Sequence, residues 1–193
     1  GCDLPEDIRE TGAREELLQE AVALAGKADK VVLALGEHRM WSGEAASRGE
    51  ITLPDCQMEL FRQVQAVNPN VAVVLYCGRP LDIREISEKS AAVLVVWMPG
   101  TEGGNAVADV LYGDTNPSGK LSMSFPYCVG QAPVFYGQLC TGRPFQEGSQ
   151  EKYVSRYIDI PNKPLYPFGY GLSYTEFTVS PVELSGKQMS KGE

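Results

Sequence analysis

Apolar residues occur in three short continuous runs, and segments with a helical spacing of apolar positions lie between and around them. The three runs cover residues 31–35, 71–76 and 91–97. The helical segments cover residues 15–28, 54–67, 81–89 and 102–111. Strands that are apolar at every position are typical of a parallel sheet covered by helices on both faces. The pattern therefore predicts an α/β fold: a three-layer α/β/α sandwich with a mainly parallel sheet, followed by a long loop-rich C-terminal extension.

The pattern changes after the last helical segment. Residues 113–172 are rich in Gly, Pro and Tyr, and only residues 120–125 have the character of a short strand. A stretch of this length without regular structure is usually functional or part of an interface. Residues 177–184 alternate like the beginning of a further strand. The predicted organisation is a partial leading segment at 1–14, the sandwich core at 15–126, the loop-rich extension of the same domain at 127–176, and a tail at 177–193 that leads toward a further domain.

Charge and composition exclude several classes of function. The chain carries a net charge of −8 and has no basic cluster, so nucleic acid is not expected as a partner. No apolar run approaches the ~20 residues of a membrane-spanning helix. The cysteines and the single histidine lack the spacing of a metal site, and Cys77, inside an apolar run, is predicted to be a buried free thiol. We expect no metal and no other cofactor.

Two familiar motifs nearly occur, but each fails at a required position, and a third is absent. The glycines at 100, 103 and 104 do not have the GxGxxG spacing of a dinucleotide-binding loop. Residues 113–120 resemble a phosphate-binding loop, but the spacing is one residue too long and Leu121 replaces the required Ser or Thr. No GxSxG sequence is present, so a serine-hydrolase nucleophile is not predicted. A free-standing nucleotide-binding domain is therefore a weak alternative.

The polar loop after the first apolar run holds the candidate catalytic side chains. Its carboxylate and aromatic residues are Glu37, Glu44, Glu50, His38 and Trp41. Open α/β sheets bind ligands outside the carboxyl ends of their strands, where such loops lie. Gly43 allows the backbone to turn so that Glu44 can be presented inward, and Arg48 is near enough to pair with a carboxylate of the loop. From spacing alone, an ordinary solvated acidic loop is still the favoured interpretation.

Four segments of the chain together resemble one known family. They are SGEAASR at 42–48, Gly-Arg-Pro at 78–80, VVWMPGTEGGNAVADVLYGDTNPSGKLSMSFP at 95–126, and YPFGYGLSYTEF at 166–177. In this order they resemble family 3 glycoside hydrolases, and in particular the C-terminal α/β-sandwich domain of the bacterial β-glucosidase branch. The likeness extends over nearly the whole chain from residue 15, and the run from Gly-Asp-x-Asn-Pro to Phe-Pro is especially distinctive.

The resemblance implies roles for particular side chains. In the family, the sandwich domain supplies the general acid/base, a glutamate in a Ser-Gly-Glu loop that is followed shortly by an arginine. This glutamate corresponds to Glu44. Contacts to the sugar are expected from Trp41, Ser42 and Arg48, the last of which can also orient the loop. Supporting or site-wall roles are expected for Glu37, His38, Trp97 and Glu102.

The resemblance further implies a retaining, exo-acting β-glycosidase, either a β-glucosidase or a β-xylosidase, that acts on terminal non-reducing β-linked sugars. In the family an N-terminal (β/α)8 barrel supplies the aspartate nucleophile, so this chain is expected to be part of a longer enzyme and inactive alone. The expected partners are this barrel and a β-linked oligosaccharide or glycoside, in the periplasm or outside the cell. The alternative is a structural and carbohydrate-binding domain of a glycosidase whose catalytic residues all lie elsewhere.

Overall fold

The computed structural model describes residues 13–186 and residue 188 of the chain. Over these residues it contains a parallel sheet, four α-helices and two short 3-10 turns. The strands are β1 (Val31–Gly36), β2 (Val71–Tyr76) and β3 (Ala92–Val95). The helices are α1 (Ala13–Ala25), α2 (Asp55–Val67), α3 (Arg84–Lys89) and α4 (Gly103–Tyr112). The 3-10 turns are Arg39–Trp41 and Val129–Gln131.

The three strands form one parallel sheet in the order β1-β2-β3. Val31 is aligned with Val71, and Gly36 with Tyr76, across the first pair of strands. Crossover connections between parallel strands are right-handed, so α2 and α3 lie on the same face of the sheet. The predicted α/β sandwich with a parallel sheet is confirmed, and all three strands end at the same edge.

The hydrophobic core lies between this face and its helices. Phe61 and Val64 of α2, Val73 and Leu75 of β2, and Phe125 beyond α4 are fully buried. Burial of each such side chain contributes about 1.5–3 kcal/mol. They belong to one continuous cluster that also includes residues of β1, α1 and α3. The cluster fixes the sheet against α2 and therefore fixes the points from which the loops after the strands begin.

One buried polar side chain joins α2 to the end of β1. Gln57 is 5% exposed; its amide donates to the carbonyl oxygen of Gly36 at 2.9 Å, and its own oxygen accepts from the Gly36 N–H at 2.8 Å. A Cβ on residue 36 would lie 2.0 Å from the carbonyl oxygen of Tyr76, so only glycine allows this approach. The backbone that leaves β1 for the polar loop is therefore held on two sides.

The helices and strands begin and end within a few residues of the predicted positions. β2 has the predicted bounds, whereas β3 stops at Val95 rather than at residue 97. α3 starts at Arg84 rather than at residue 81, because the N–H of Asp82 donates to the carbonyl oxygen of Ile51 at 2.8 Å and holds this segment in an extended path. Burial on both faces holds for β2 but not for β1, where Val32 is 52% exposed.

One predicted strand is wrong. Residues 120–125 are not a strand: Phe125 alone pairs, in an isolated antiparallel bridge with Tyr166. Leu121 meets the turn around Gly169 instead, which has a left-handed backbone and cannot continue a ladder. Residues 177–184 do not pair with any other described segment. That the tail at 177–193 leads toward a further domain stays a prediction.

The loop-rich extension is held by side chains rather than by regular structure. Gln131 is 3% exposed; it accepts from the N–H of Tyr127 at 2.7 Å and donates to the carbonyl oxygen of Pro161 at 3.1 Å. The hydroxyl of Tyr166 lies 2.6 Å from the hydroxyl of Ser87 on α3. These contacts join distant parts of the extension to each other and to the sandwich.

Candidate active site

The polar loop predicted to carry the chemistry lies at the carboxyl edge of the sheet. It follows β1 directly, and the turn Gly78-Arg79-Pro80 follows β2 at the same edge. The N–H of Glu37 still donates to the carbonyl oxygen of Tyr76 at 2.9 Å, so the loop starts in register with β2. Ligand sites of open α/β sheets occupy this position. The fold therefore brings the loop and the turn together.

Glu37 is the buried centre of this region. Its side chain is 0% exposed. Arg48 donates to Oε1 at 2.8 Å, and Nε of Arg79 lies 3.2 Å from the same oxygen. The hydroxyl of Ser42 and the N–H of Gly78 donate to Oε2 at 3.2 and 3.1 Å. A buried carboxylate is tolerated only when it is paired and hydrogen-bonded, and here both oxygens have partners.

Arg79 is the second anchor of the loop. Its guanidinium donates to the carbonyl oxygens of Trp41 and Ala46, the latter at 2.9 Å. Gly78, next to it, allows close packing: a Cβ there would lie 2.3 Å from the hydroxyl oxygen of Ser42. The turn after β2 thus lies directly against the loop after β1.

Arg48 and Trp41 form a stacked pair on the same loop. The guanidinium carbon of Arg48 is 4.4 Å from the centroid of the Trp41 ring, and Arg48 also donates to the carbonyl oxygen of Thr52 at 3.3 Å. Nδ1 of His38 accepts from the N–H of Met40 at 3.3 Å, and its ring meets Trp41 edge-on at a centroid separation of 6.4 Å. These contacts fold residues 38–48 into a compact unit around Glu37.

Glu44 lies at the outer end of this unit and is exposed. It stands between two residues with left-handed backbone, Gly43 with φ 109° and Ala45 with φ 58°. For a residue with a Cβ, that conformation costs roughly 1–2 kcal/mol. Among residues 13–186 and 188, none forms an ion pair with Glu44. The structure thus separates two loop glutamates that the sequence presents together.

Trp97 and Glu102 are not part of the cluster around Glu37. Trp97 has a positive φ of 52°, and its ring lies 5.7 Å from that of Phe125 in a tilted arrangement, so it packs on the hydrophobic core. Glu102 precedes α4 and accepts from the side-chain amide of Asn105 at 2.7 Å. A bulky residue in a left-handed conformation is uncommon, and such strain concentrates at functional sites.

The role of Arg79 was not predicted from the sequence. The Gly78-Arg79-Pro80 turn was expected only to end a strand and to carry part of a family resemblance. A signal was present: parallel strands end at one edge, so a cation just after β2 lies beside an anion just after β1. The contact could have been expected from the order of the strands, once β1 and β2 were taken as neighbours.

Cys77 lies beneath the same turn. It is a free thiol and 1% exposed, as predicted. Burial, and to a smaller extent the negative charge of Glu37, raise the pKa of this thiol to about 12. Because the thiolate is the nucleophilic form, a thiol in this state is chemically inert at neutral pH.

Other features of the described residues give no alternative site chemistry. No group of three or more His, Cys, Asp or Glu side chains in this part of the chain could hold a metal ion. None of its helices combines the length and the apolar character needed to cross a membrane. A broad cleft lies in the extension between Gln131, Phe145, Arg156 and Lys163, and it shares no residue with the loop that carries Glu44.

Comparison with known families gives one match over most of the chain. The model of the glycosyl hydrolase family 3 C-terminal domain matches residues 3–174. A protein of Salmonella typhimurium named periplasmic beta-glucosidase is 50% identical over 177 residues, which are 92% of this chain and 23% of that protein. A protein of Formosa agariphila named beta-xylosidase is 39% identical over 190 residues, which are 98% of this chain and 24% of that protein.

Solved structures give the same result. The structure of a beta-glucosidase from Listeria innocua in complex with isofagomine superposes with a TM-score of 0.79 and 52% sequence identity, over 84% of this chain and 23% of that one. A beta-glucosidase from Kluyveromyces marxianus in complex with glucose superposes with a TM-score of 0.67 and 36% identity. The chain spans about a quarter of the length of the relatives it matches.

Proposed function

The chain belongs to the glycosyl hydrolase family 3 C-terminal domain family, and from this premise we propose that it is the acid/base-bearing domain of a retaining, exo-acting β-glycosidase. The proposed substrates are terminal non-reducing β-linked glucose or xylose residues, in line with the names of the relatives. The proposed partner is a (β/α)8 barrel of the same enzyme, which supplies the nucleophile. The name of the Salmonella relative supports a periplasmic or secreted location.

One observation carries the choice of Glu44 as the acid/base. Both oxygens of Glu37 are occupied in the interior, Oε1 by Arg48 and Arg79 and Oε2 by Ser42 and Gly78. A carboxyl group in that state has no oxygen to offer to a glycosidic bond. Glu44 is exposed on the same loop and forms no ion pair with the described residues, so its carboxyl group is available to a substrate.

The proposed reaction has two steps. In the first, Glu44 donates a proton to the glycosidic oxygen as the bond to the leaving group breaks, and a carboxylate of the barrel bonds to the anomeric carbon. In the second, Glu44 removes a proton from water, whose oxygen then displaces the barrel carboxylate from the sugar. The two carboxyl groups must lie about 5–5.5 Å apart for this route. A glutamate at the outer end of a loop can meet that condition across a domain interface.

The other loop residues receive supporting roles in this proposal. The ring of Trp41 offers a flat apolar surface to a sugar, and Arg48 holds it from one side. Arg48 and Ser42 are both bonded to Glu37. We therefore assign them mainly to support of the loop, and we assign Glu37 and His38 to the same task. Trp97 and Glu102 are proposed as structural neighbours at the same edge of the sheet.

The test compares three glutamates of the same loop in the full-length enzyme. Glu44→Ala should strongly slow hydrolysis of alkyl or phenyl β-glucosides, whose leaving groups need protonation. Activated dinitrophenyl substrates should lose less in the first step, and azide should restore turnover because it attacks the glycosyl-enzyme without a base. Glu37→Ala should lower stability without azide rescue. Glu50→Ala, at another exposed position, is the matched control and should behave like the unsubstituted enzyme.

Two outcomes would contradict the proposal. Azide rescue of the Glu37 variant and not of the Glu44 variant would reverse the assignment. Full activity of Glu44→Ala on all substrates would favour the alternative, a structural and carbohydrate-binding domain whose enzyme has its catalytic residues elsewhere.

The 193-residue chain alone should not hydrolyse nitrophenyl β-glucoside or β-xyloside above background, because the covalent intermediate needs the barrel nucleophile.

A further inference from the structure

Arg79 contacts the backbone of the polar loop at two points that enclose Glu44. Its guanidinium donates to the carbonyl oxygens of Trp41 and Ala46, and its Nε lies 3.2 Å from Oε1 of Glu37. The four residues between the two bound carbonyls, 42–45, include Glu44. The side chain of Arg79 is only 21% exposed. A planar guanidinium has donors at fixed angles, which suits it to hold separate acceptors at once.

Gly78 allows the loop to pack directly on the turn after β2. A Cβ at this position would lie 2.3 Å from the hydroxyl oxygen and 2.5 Å from the Cβ of Ser42, distances that real side chains do not reach. The N–H of Gly78 also donates to Oε2 of Glu37 at 3.1 Å. The glycine therefore allows the first residue of the enclosed segment to rest directly on the turn after β2.

The enclosed segment has little of its own to hold its shape. Gly43 and Ala45 both have left-handed backbone, with φ 109° and 58°, on either side of Glu44. A Cβ on Gly43 would meet nothing within 4 Å, so this part of the loop projects into open space. A conformation that is sparsely populated in isolation persists only where its surroundings impose it. Here Arg79 binds the carbonyl oxygens on both sides of the segment, and Ser42 at its start is in addition bound to Glu37.

We infer that Arg79 is a positioning residue that sets the direction in which Glu44 points. This inference rests on the proposed acid/base function of Glu44 and adds a requirement to it. Lys at position 79 would keep the positive charge but would present a single nitrogen in place of the planar guanidinium. Both carbonyls are bound by the same nitrogen of Arg79, Nη2, while Nε faces Glu37. An ammonium group has no second nitrogen, so it could lie at the two carbonyls or beside Glu37 but not at both places. The segment would then lose either its hydrogen bonds to residue 79 or the link from residue 79 to the buried anion. The carboxyl group of Glu44 would be displaced while the charge of the region stayed the same.

The experiment compares Arg79→Lys with a matched control, Arg62→Lys, in the full-length enzyme. Arg62 is an exposed arginine of α2 that pairs with Glu85. Hydrolysis of phenyl β-glucoside, with a poor leaving group, is compared with that of dinitrophenyl β-glucoside. A misplacement of about 1 Å costs on the order of 100-fold, so we expect Arg79→Lys to lower kcat for the phenyl substrate by about that factor. The dinitrophenyl substrate should lose less than about 10-fold in glycosylation, because its leaving group does not need the acid.

A second measurement does not depend on the reaction. Hydrogen–deuterium exchange of the peptide that spans residues 41–48 should be faster in Arg79→Lys than in the unsubstituted enzyme, and unchanged in Arg62→Lys. Equal losses on both substrates, or an unchanged exchange rate in the loop, would overturn the inference. If Glu44→Ala itself shows no dependence on the leaving group, the proposed function fails, and the inference fails with it. If Glu44→Ala shows that dependence and Arg79→Lys does not, the inference alone fails.

A second variant covers the case in which Arg79→Lys yields little folded enzyme. Gly78→Ala keeps the guanidinium and pushes the loop from its other end, at Ser42. It should produce the same preference for the activated substrate, with KM changed much less than kcat. Gly78→Ala with normal activity on both substrates would overturn the inference, because the displaced loop would then not matter for Glu44.

Discussion

Replacement of Glu37 by Gln tests whether the buried carboxylate holds the loop. The substitution keeps the size of the side chain and removes its charge. Arg48, Ser42 and Gly78 all donate to this carboxylate, and Arg79 adds an ion-pair contact at 3.2 Å. An amide offers one acceptor oxygen and an NH2 group, so some of these donors would face another donor. The two arginines would also lose the anion that compensates their charge.

The expected loss of stability follows from the burial of Glu37 and of its two arginine partners. Removal of one partner of a buried ion pair costs about 3–5 kcal/mol. The side chain of Glu37 is 0% exposed, but those of Arg48 and Arg79 are 19% and 21% exposed, so water can solvate the two arginines in part after the substitution. We therefore expect the lower end, a loss of about 3 kcal/mol in the free energy of unfolding. For a domain of this size, that corresponds to a fall in Tm of roughly 6–12 °C.

Urea denaturation and thermal unfolding of the 193-residue chain provide the measurement. Glu44→Gln is the control, since the same chemical change at an exposed residue of the same loop should alter the free energy of unfolding by no more than about 0.5 kcal/mol. If Glu37→Gln lies within about 1 kcal/mol of the unsubstituted chain, the buried carboxylate does not organise the loop. The ion pairs of Glu37 would then contribute little to the stability of the domain.

Two further predictions concern protonation and thiol reactivity. Hydrogen bonds, mainly from Arg62 and next from Lys89, lower the pKa of Glu85 from 4.5 to about 2. As the pH falls, Glu85 is therefore protonated in the unfolded chain before it is protonated in the folded one. The free energy of unfolding should decrease between about pH 4.5 and pH 2. Glu85→Gln should remove this part of the pH dependence, which urea denaturation at pH 6 and pH 3 would measure. The difference in the free energy of unfolding should be at most about 1 kcal/mol, because the side chain of Arg62 is 57% exposed. In native protein, Ellman's reagent should label exposed Cys140 quickly and leave buried Cys77 unlabelled; equal rates would contradict the structure.

The sheet could be predicted from the sequence because its signal is local. The central strand β2 has the predicted bounds, and the other two strands lie within three residues of theirs. Each strand is a continuous apolar run bounded by turn residues. In each helical segment, apolar residues recur at the spacing of one helix face. These features depend on neighbouring residues along the chain.

The wrong strand at residues 120–125 shows the limit of a prediction from local sequence alone. Residues 120–125 alternate as a strand does, but a strand also needs a partner segment in register along its length. The segment opposite contains Gly169 with φ 81°, so pairing is limited to Phe125 and Tyr166. Whether a second segment is in place to pair with a strand depends on the tertiary structure. It cannot be predicted from the residues of the strand alone.

The candidate site was predictable in part for the same reason. The proximity of Glu37 to the backbone follows from its place directly after β1, and the openness of Glu44 follows from its place after Gly43. The contact between Glu37 and Arg79 depends instead on which strands are neighbours in the sheet. A single sequence does not state the strand order, so the residue that encloses the loop could not be assigned from the loop alone.

The pairing of Arg48 resolves a conflict that the sequence leaves open. An acid/base must change its protonation state during each turnover, whereas a directly paired arginine favours only the charged carboxylate. Arg48 is four residues from Glu44, yet its guanidinium is bound to Glu37 and stacked on Trp41. Glu37 therefore does two things at once: it anchors the loop, and it keeps the nearest cation of the loop away from Glu44. The buried glutamate allows the exposed one to remain unpaired, which is the condition that the proposed chemistry requires.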